Sequence, residues 1–85
     1  MDSKLEIIKE QVANSLKKME IIVTNVEYVT EGTYNFLRIE LDKINGIDLD
    51  TIVQATDIIN PIIDELDLID ESYILDVISK ENGGK

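Results

Sequence analysis

A two-layer α/β (α+β) sandwich of order α-β-β-α-β, with a three-stranded mixed sheet and both helices on one face, is the fold class this sequence predicts. Three observations carry it. Apolar residues recur at helical spacing in two segments, β-branched and aromatic residues alternate in three others, and the long crossover through the second helix lets the third strand lie parallel to a member of a hairpin. At 85 residues the chain reads as one domain over residues 1–80 with a short tail at 81–85. A domain of this size buries only about 60 to 65% of its unfolded surface, which leaves little room for a deep active site.

The elements follow in order. Ser3 and Glu6 are spaced as a capping box, and Leu5, Ile8, Val12, Leu16 and Met19 then form one narrow apolar stripe. This predicts a helix over 4–18. From Glu20 the pattern alternates, with Ile22, Thr24, Val26 and Tyr28 on one face and Val23, Asn25, Glu27 and Val29 on the other, which predicts a strand. Thr30, Glu31, Gly32 and Thr33 supply a turn. Beyond it Leu37, Ile39 and Leu41 alternate with Phe36, Arg38 and Glu40 as a second strand, paired antiparallel with the first.

Asn45 and Gly46 form a second turn, and Asp48 sits where a helix cap belongs. The periodic run that follows, to about Leu66, places Leu49, Ile52, Val53, Ala55, Ile58, Ile59, Ile62, Ile63 and Leu66 over more than half the helix circumference. An apolar arc that wide needs the first helix as well as the sheet to cover it. Asp50, Gln54, Asp57, Pro61 and Asp64 occupy the opposite arc, so Pro61 bends the helix on its solvent side without breaking it. A third strand spans 73–78 with Tyr73, Leu75 and Val77 facing inward, and the tail with Gly83 and Gly84 is expected to fray.

Composition narrows the function. Apolar residues make up 44% of the chain and charged residues 31%, the balance of a globular protein. With no cysteine, neither a disulfide nor a thiolate metal site is possible. The chain carries no signal-peptide pattern and no apolar run near the ~20 residues that span a bilayer, so it reads as cytoplasmic with no membrane partner. Histidine is absent and Arg38 is the single arginine, which removes the usual proton shuttle and any clustered anion clamp. Ser3, Ser15, Ser72 and Ser79 have no evident base. No catalytic residue, cofactor or metal is therefore expected, and the chain reads as a partner-binding domain and not an enzyme. An apparent calcium loop from Asp42 to Asp50 fails on register: with Gly46 at the required glycine, Leu41 and Lys43 fall at ligand positions and Ile52 at the bidentate glutamate.

The net charge is -10, and it is unevenly spread. No Lys or Arg occurs between Lys43 and Lys80, an interval that holds Asp48, Asp50, Asp57, Asp64, Glu65, Asp67, Asp70, Glu71 and Asp76. Such a half repels a nucleic-acid backbone and suits a basic protein. The element order matches a KH type II-like topology, but the Gly-x-x-Gly clamp and basic flank of an RNA-binding KH module are missing. Phosphate-binding and dinucleotide fingerprints are also missing.

Four segments carry a family resemblance. They are Val26-Glu27-Tyr28-Val29-Thr30-Glu31-Gly32, then Phe36-Leu37-Arg38-Ile39-Glu40-Leu41-Asp42-Lys43, then Gly46-Ile47-Asp48-Leu49-Asp50, then Tyr73-Ile74-Leu75-Asp76-Val77. In this order and spacing the chain resembles, over about residues 4–79, the amino-terminal domain of the RimP family of bacterial ribosome maturation factors; Asn60-Pro61-Ile62-Ile63-Asp64 is similar to a stretch of its second helix. The resemblance implies a cytoplasmic, non-enzymatic assembly factor that associates with the free small (30S) ribosomal subunit. In that family a small β-barrel domain follows, joined by a Ser-Ser-Pro-Gly segment that begins where this chain has Ile78, Ser79, Lys80 and Glu81, and there the match ends.

Two surfaces are candidates for partner contact. Asp50, Asp57, Asp64, Asp67, Asp70 and Glu71 offer electrostatic complementarity to a basic ribosomal protein, with simple solvation as the competing account. Val23, Val29, Phe36, Ile74 and Ile78 are expected on the outer sheet face, either as a docking or dimerisation surface or as scattered aliphatics. Direct RNA contact is a secondary alternative, through Lys4, Lys9, Lys17, Lys18, Arg38 and Lys43.

Overall fold

Helix α1 (Asp2–Leu16) begins a computed structural model that describes residues 2–80; Met1 and residues 81–85, with the tail expected to fray, lie outside the described residues. The predicted stripe forms its inner side, with Ile8, Val12 and Leu16 fully buried. Because the helix is already under way at Asp2, Ser3 stands inside its first turn and not at the cap, so the capping box is not the start signal here. Lys17–Met19 tighten into a 3-10 turn, and Glu20 closes it in the left-handed region (φ 59) while its N–H donates to the Lys17 carbonyl at 2.9 Å. That conformation costs a non-glycine residue about 1 to 2 kcal/mol. It swings the chain from helix into strand with no intervening loop.

Strand β1 (Ile21–Glu31) pairs antiparallel with β2 (Tyr34–Lys43) across a turn at Gly32 and Thr33. Gly32 has φ 65, which explains glycine at that position. Strand β3 (Ile74–Ser79) lies parallel to β2, so the sheet is mixed, in order β1-β2-β3, with β2 at its centre. Leu37, Ile39 and Leu41 on β2 face inward with no exposure, as their alternation predicts.

Strand β1 departs from strict alternation. The register slips between Val23 and Asn25, where a bulge sets one extra residue against β2. Before the bulge Ile21 and Val23 point to the core; after it Val26 and Tyr28 do. Val23, expected on the outer face, is only 6% exposed, while Ile22, expected inside, is 58% exposed. One inserted residue reverses a period-2 pattern, and the expectation counted straight through it. The extra residue is held in place by Thr24, whose Oγ1 donates to the Glu40 carboxylate at 2.7 Å.

Helix α2 (Leu49–Leu66) starts on Asp48, whose Oδ1 accepts from the Thr51 N–H at 2.8 Å and the Thr51 hydroxyl at 2.6 Å. Ala55, Ile59 and Ile63 form its most buried line, flanked by the half-buried Ile52, Ile58, Ile62 and Leu66. It packs on α1 and on β3, and both helices share one core with the inner sheet face. Not all of the wide apolar arc is covered, since Leu49 and Val53 stay exposed. Pro61 is exposed inside the helix, as expected. Among the described residues no helix is long and apolar enough to cross a membrane, and no cluster of metal-ligating side chains occurs.

Two outcomes follow from α2. Pro61→Ala restores the N–H that donates to the Asp57 carbonyl, and the variant gains about 2 kcal/mol, the ~3 kcal/mol penalty of an interior proline less ~1 kcal/mol for the looser unfolded chain. The measurement is a higher urea midpoint at unchanged slope. The second outcome concerns the cap. Hydrogen bonds from the Thr51 side chain and then its backbone N–H hold the Asp48 carboxyl below the usual aspartate range. A depressed carboxyl pKa adds stability above the unfolded-state pKa and loses it as pH falls through the folded-state pKa. The melting-temperature gap between wild type and Asp48→Ala is therefore widest above the unfolded-state pKa and narrows as the pH falls through the folded-state pKa.

Candidate functional site

Acidic side chains dominate one side of the molecule. Asp50, Asp57 and Asp64 recur every seven residues along α2 and are all exposed. Seven residues of helix rise about 10 Å, so the three form a stripe about 21 Å long. A spacing near one Debye length screens most of their mutual repulsion, which is why the helix tolerates them. Asp67, Asp70 and Glu71 continue the negative surface into the loop and are also exposed. Among the described residues none of the six is held in an ion pair.

The two ends of α2 differ electrostatically. Asp50 lies in the first turn, where a carboxylate complements the positive end of the helix dipole. At the other end the last turn has no basic residue, and Asp64, Glu65 and Asp67 sit beside the negative end. Asp67 itself ends the helix in the left-handed region (φ 49), its N–H donating to the Ile63 carbonyl at 3.0 Å. Carboxylates placed there oppose the dipole, so an arriving cation relieves two like-charge interactions at once.

An open depression of about 380 Å³ lies beside this end, lined by Asn60, Asp64, Glu71, Ser72, Tyr73 and Leu75. It brings Asp64 and Glu71 together although seven positions separate them, while Asp50 remains at the far end of the helix. Burial first, then the charges of Asp64 and Asp67, push the Tyr73 hydroxyl pKa above its usual value. Burial and then Glu71 do the same to Tyr28, whose buried hydroxyl has no hydrogen-bond partner among the described residues. The loop and the end of α2 therefore create a negative field that reaches two tyrosines.

The outer sheet face is not the bare apolar surface expected from the sequence. Val29, Phe36 and Ile74 align in one row, but the next row is Glu27, Arg38 and Asp76, and Ile78 lies beside Glu40. Arg38 Nε donates to Asp76 Oδ2 at 2.9 Å; its terminal nitrogens lie 3.7 Å from Glu31 and 4.0 Å from Glu27. The guanidinium also sits 6.0 Å from the Phe36 ring centroid. Sequence reasoning counted Arg38 as a free cation for RNA and missed this cluster. The Gly32 turn contained half of the signal, since a two-residue turn joining Glu31 to Tyr34 sets Glu27 opposite Arg38. Asp76 joins only through the parallel register of β3.

The other candidate cations lie outside this cluster. Lys4 and Lys9 lie along α1, Lys17 and Lys18 in the turn that ends it, and Lys43 at the end of β2. Arg38→Met leaves Glu27, Glu31 and Asp76 facing one another. Its urea midpoint falls at low ionic strength, and the deficit shrinks as salt rises from about 20 mM to about 500 mM. A deficit that does not change with salt would mean that Arg38 acts by packing alone.

The family model described as the RimP N-terminal domain matches residues 11–80, from the middle of α1 to just beyond β3. The match takes in all three strands and the whole of α2, and the segments that resembled the family lie inside it. This chain belongs to the RimP N-terminal domain family, a family of ribosome maturation factors.

Proposed function

We propose that this domain is a non-enzymatic ribosome assembly factor of the cytoplasm, which associates with the free small (30S) ribosomal subunit and assists its maturation through protein contacts. The acidic stripe of α2 and the loop after it meet a basic ribosomal protein in this reading, and direct RNA contact is secondary. One observation carries it: Asp50, Asp57, Asp64, Asp67, Asp70 and Glu71 are exposed and unpaired among the described residues, in an interval of the chain free of Lys and Arg. The dipole at the end of α2 supports it further, because a partner cation there replaces repulsion with attraction. Against a leading role for RNA stands Arg38, the one arginine, already engaged by carboxylates.

Co-sedimentation with free small subunits, large subunits and joined ribosomes across a salt series tests the reading. The wild-type chain pellets selectively with free small subunits, less so as salt rises. Asp57→Lys combined with Asp64→Lys keeps the far-ultraviolet circular dichroism spectrum and weakens association by about tenfold, the effect of two lost exposed charge pairs. Unchanged association of this variant would remove the acidic stripe as the contact. Failure of the wild-type chain to pellet with any particle would remove the small subunit as its target.

A further inference from the structure

The outer face of the sheet lies opposite both helices and supplies no partner contact in the reading above. Its Val29, Phe36 and Ile74 stand side by side across β1, β2 and β3. Cross-strand neighbours lie about 5 Å apart, so the row makes an apolar strip about 10 Å long. It is accessible: Ile74 is 45% exposed, Val29 and Phe36 are partly exposed, and Tyr34 at the hairpin end is 62% exposed. Beside it runs the Arg38 cluster, in which one guanidinium faces three carboxylates. Two of these, Glu27 and Glu31, keep side-chain exposures of 45% and 60%. The face thus pairs an uncovered apolar strip with a net negative flank.

We propose that this face is a second docking surface and that it takes a basic protein segment. Such a segment lays an aliphatic or aromatic side chain on the Val29–Phe36–Ile74 row and sets a Lys or Arg beside Glu27 and Glu31. Charge selects the occupant. A second copy of this chain would bring its own net charge of -10 and the same carboxylates to the contact, and nucleic-acid phosphates or anionic lipids would meet them too. A basic segment gains from both rows at once, burying apolar surface on the first and placing its cation by the second. The surface is independent of the α2 stripe and does not require the partner to be ribosomal.

The test is a ¹⁵N-resolved NMR titration of this chain with three synthetic peptides of about ten residues, alternating Lys with Val, Lys with Ser and Glu with Val. The Lys–Val peptide shifts Val29, Phe36, Arg38 and Ile74 and binds at least about tenfold tighter than the Lys–Ser peptide; the Glu–Val peptide does not bind. Ile74→Thr and Glu31→Gln, which retain strand propensity and the Arg38–Asp76 bond, each weaken the Lys–Val peptide several-fold. Asp57→Lys with Asp64→Lys leaves this binding unchanged, which separates it from the function proposed above. Equal binding of the Lys–Val and Lys–Ser peptides, shifts confined to α2, or no binding would overturn the proposal. So would a concentration-dependent dimer whose shifts map to this same face.

Discussion

Burial of Leu37, Ile39 and Leu41 along the central strand is the contact on which the other parts of the domain rest. Each of the three is fully buried, and sealing such a side chain from water is worth about 1.5 to 3 kcal/mol. A domain of this length has a net stability of only about 4 to 13 kcal/mol, so loss of one of them consumes a large share. Both outer strands hydrogen-bond to β2, and both helices join the core that these side chains centre. The same constraint sets the opposite face. With positions 37, 39 and 41 inward, Phe36, Arg38 and Glu40 must point outward. The position of Arg38 between the carboxylates of its neighbours is thus a consequence of the core.

Electrostatics then divides the molecule into two surfaces. On α2 the carboxylates are spread along the helix, exposed and unpaired among the described residues, with the negative helix end adding to their field. On the sheet they are gathered around one guanidinium that only partly offsets them. The first arrangement suits long-range attraction of a basic surface, since nothing within the described part of the chain competes for the charge. The second suits a short-range contact, because an apolar row lies next to it.

Strand β1 shows where a pattern read along the chain runs into difficulty. Its β-branched and aromatic content predicts a strand at the observed place, and Tyr28 and Val26 face the core as the alternation requires. Ile22 and Val23 exchange faces because of a bulge that the alternation does not announce, although Asn25, a residue that strands disfavour, stands at it. What stabilises the bulge is the Thr24–Glu40 hydrogen bond across sixteen positions, a contact between strands. The same limit hid Asp76 from Arg38, thirty-eight residues away.

Helix α2 was legible almost to the residue, because Asp48, the apolar period and the solvent-side Pro61 are local signals that act within a turn or two of the chain. Charge was legible too: the cation-free interval and its carboxylates are a matter of composition, and the segments that identify the family are contiguous stretches of chain. The tertiary structure alone decided which face Val23 occupies, that Asp76 engages Arg38, and that Asp64 and Glu71 border one depression. Those outcomes depend on strand register and on how the crossover helix settles against the sheet. Register is chosen by the summed burial of many side chains at once, and no local stretch of sequence contains that sum.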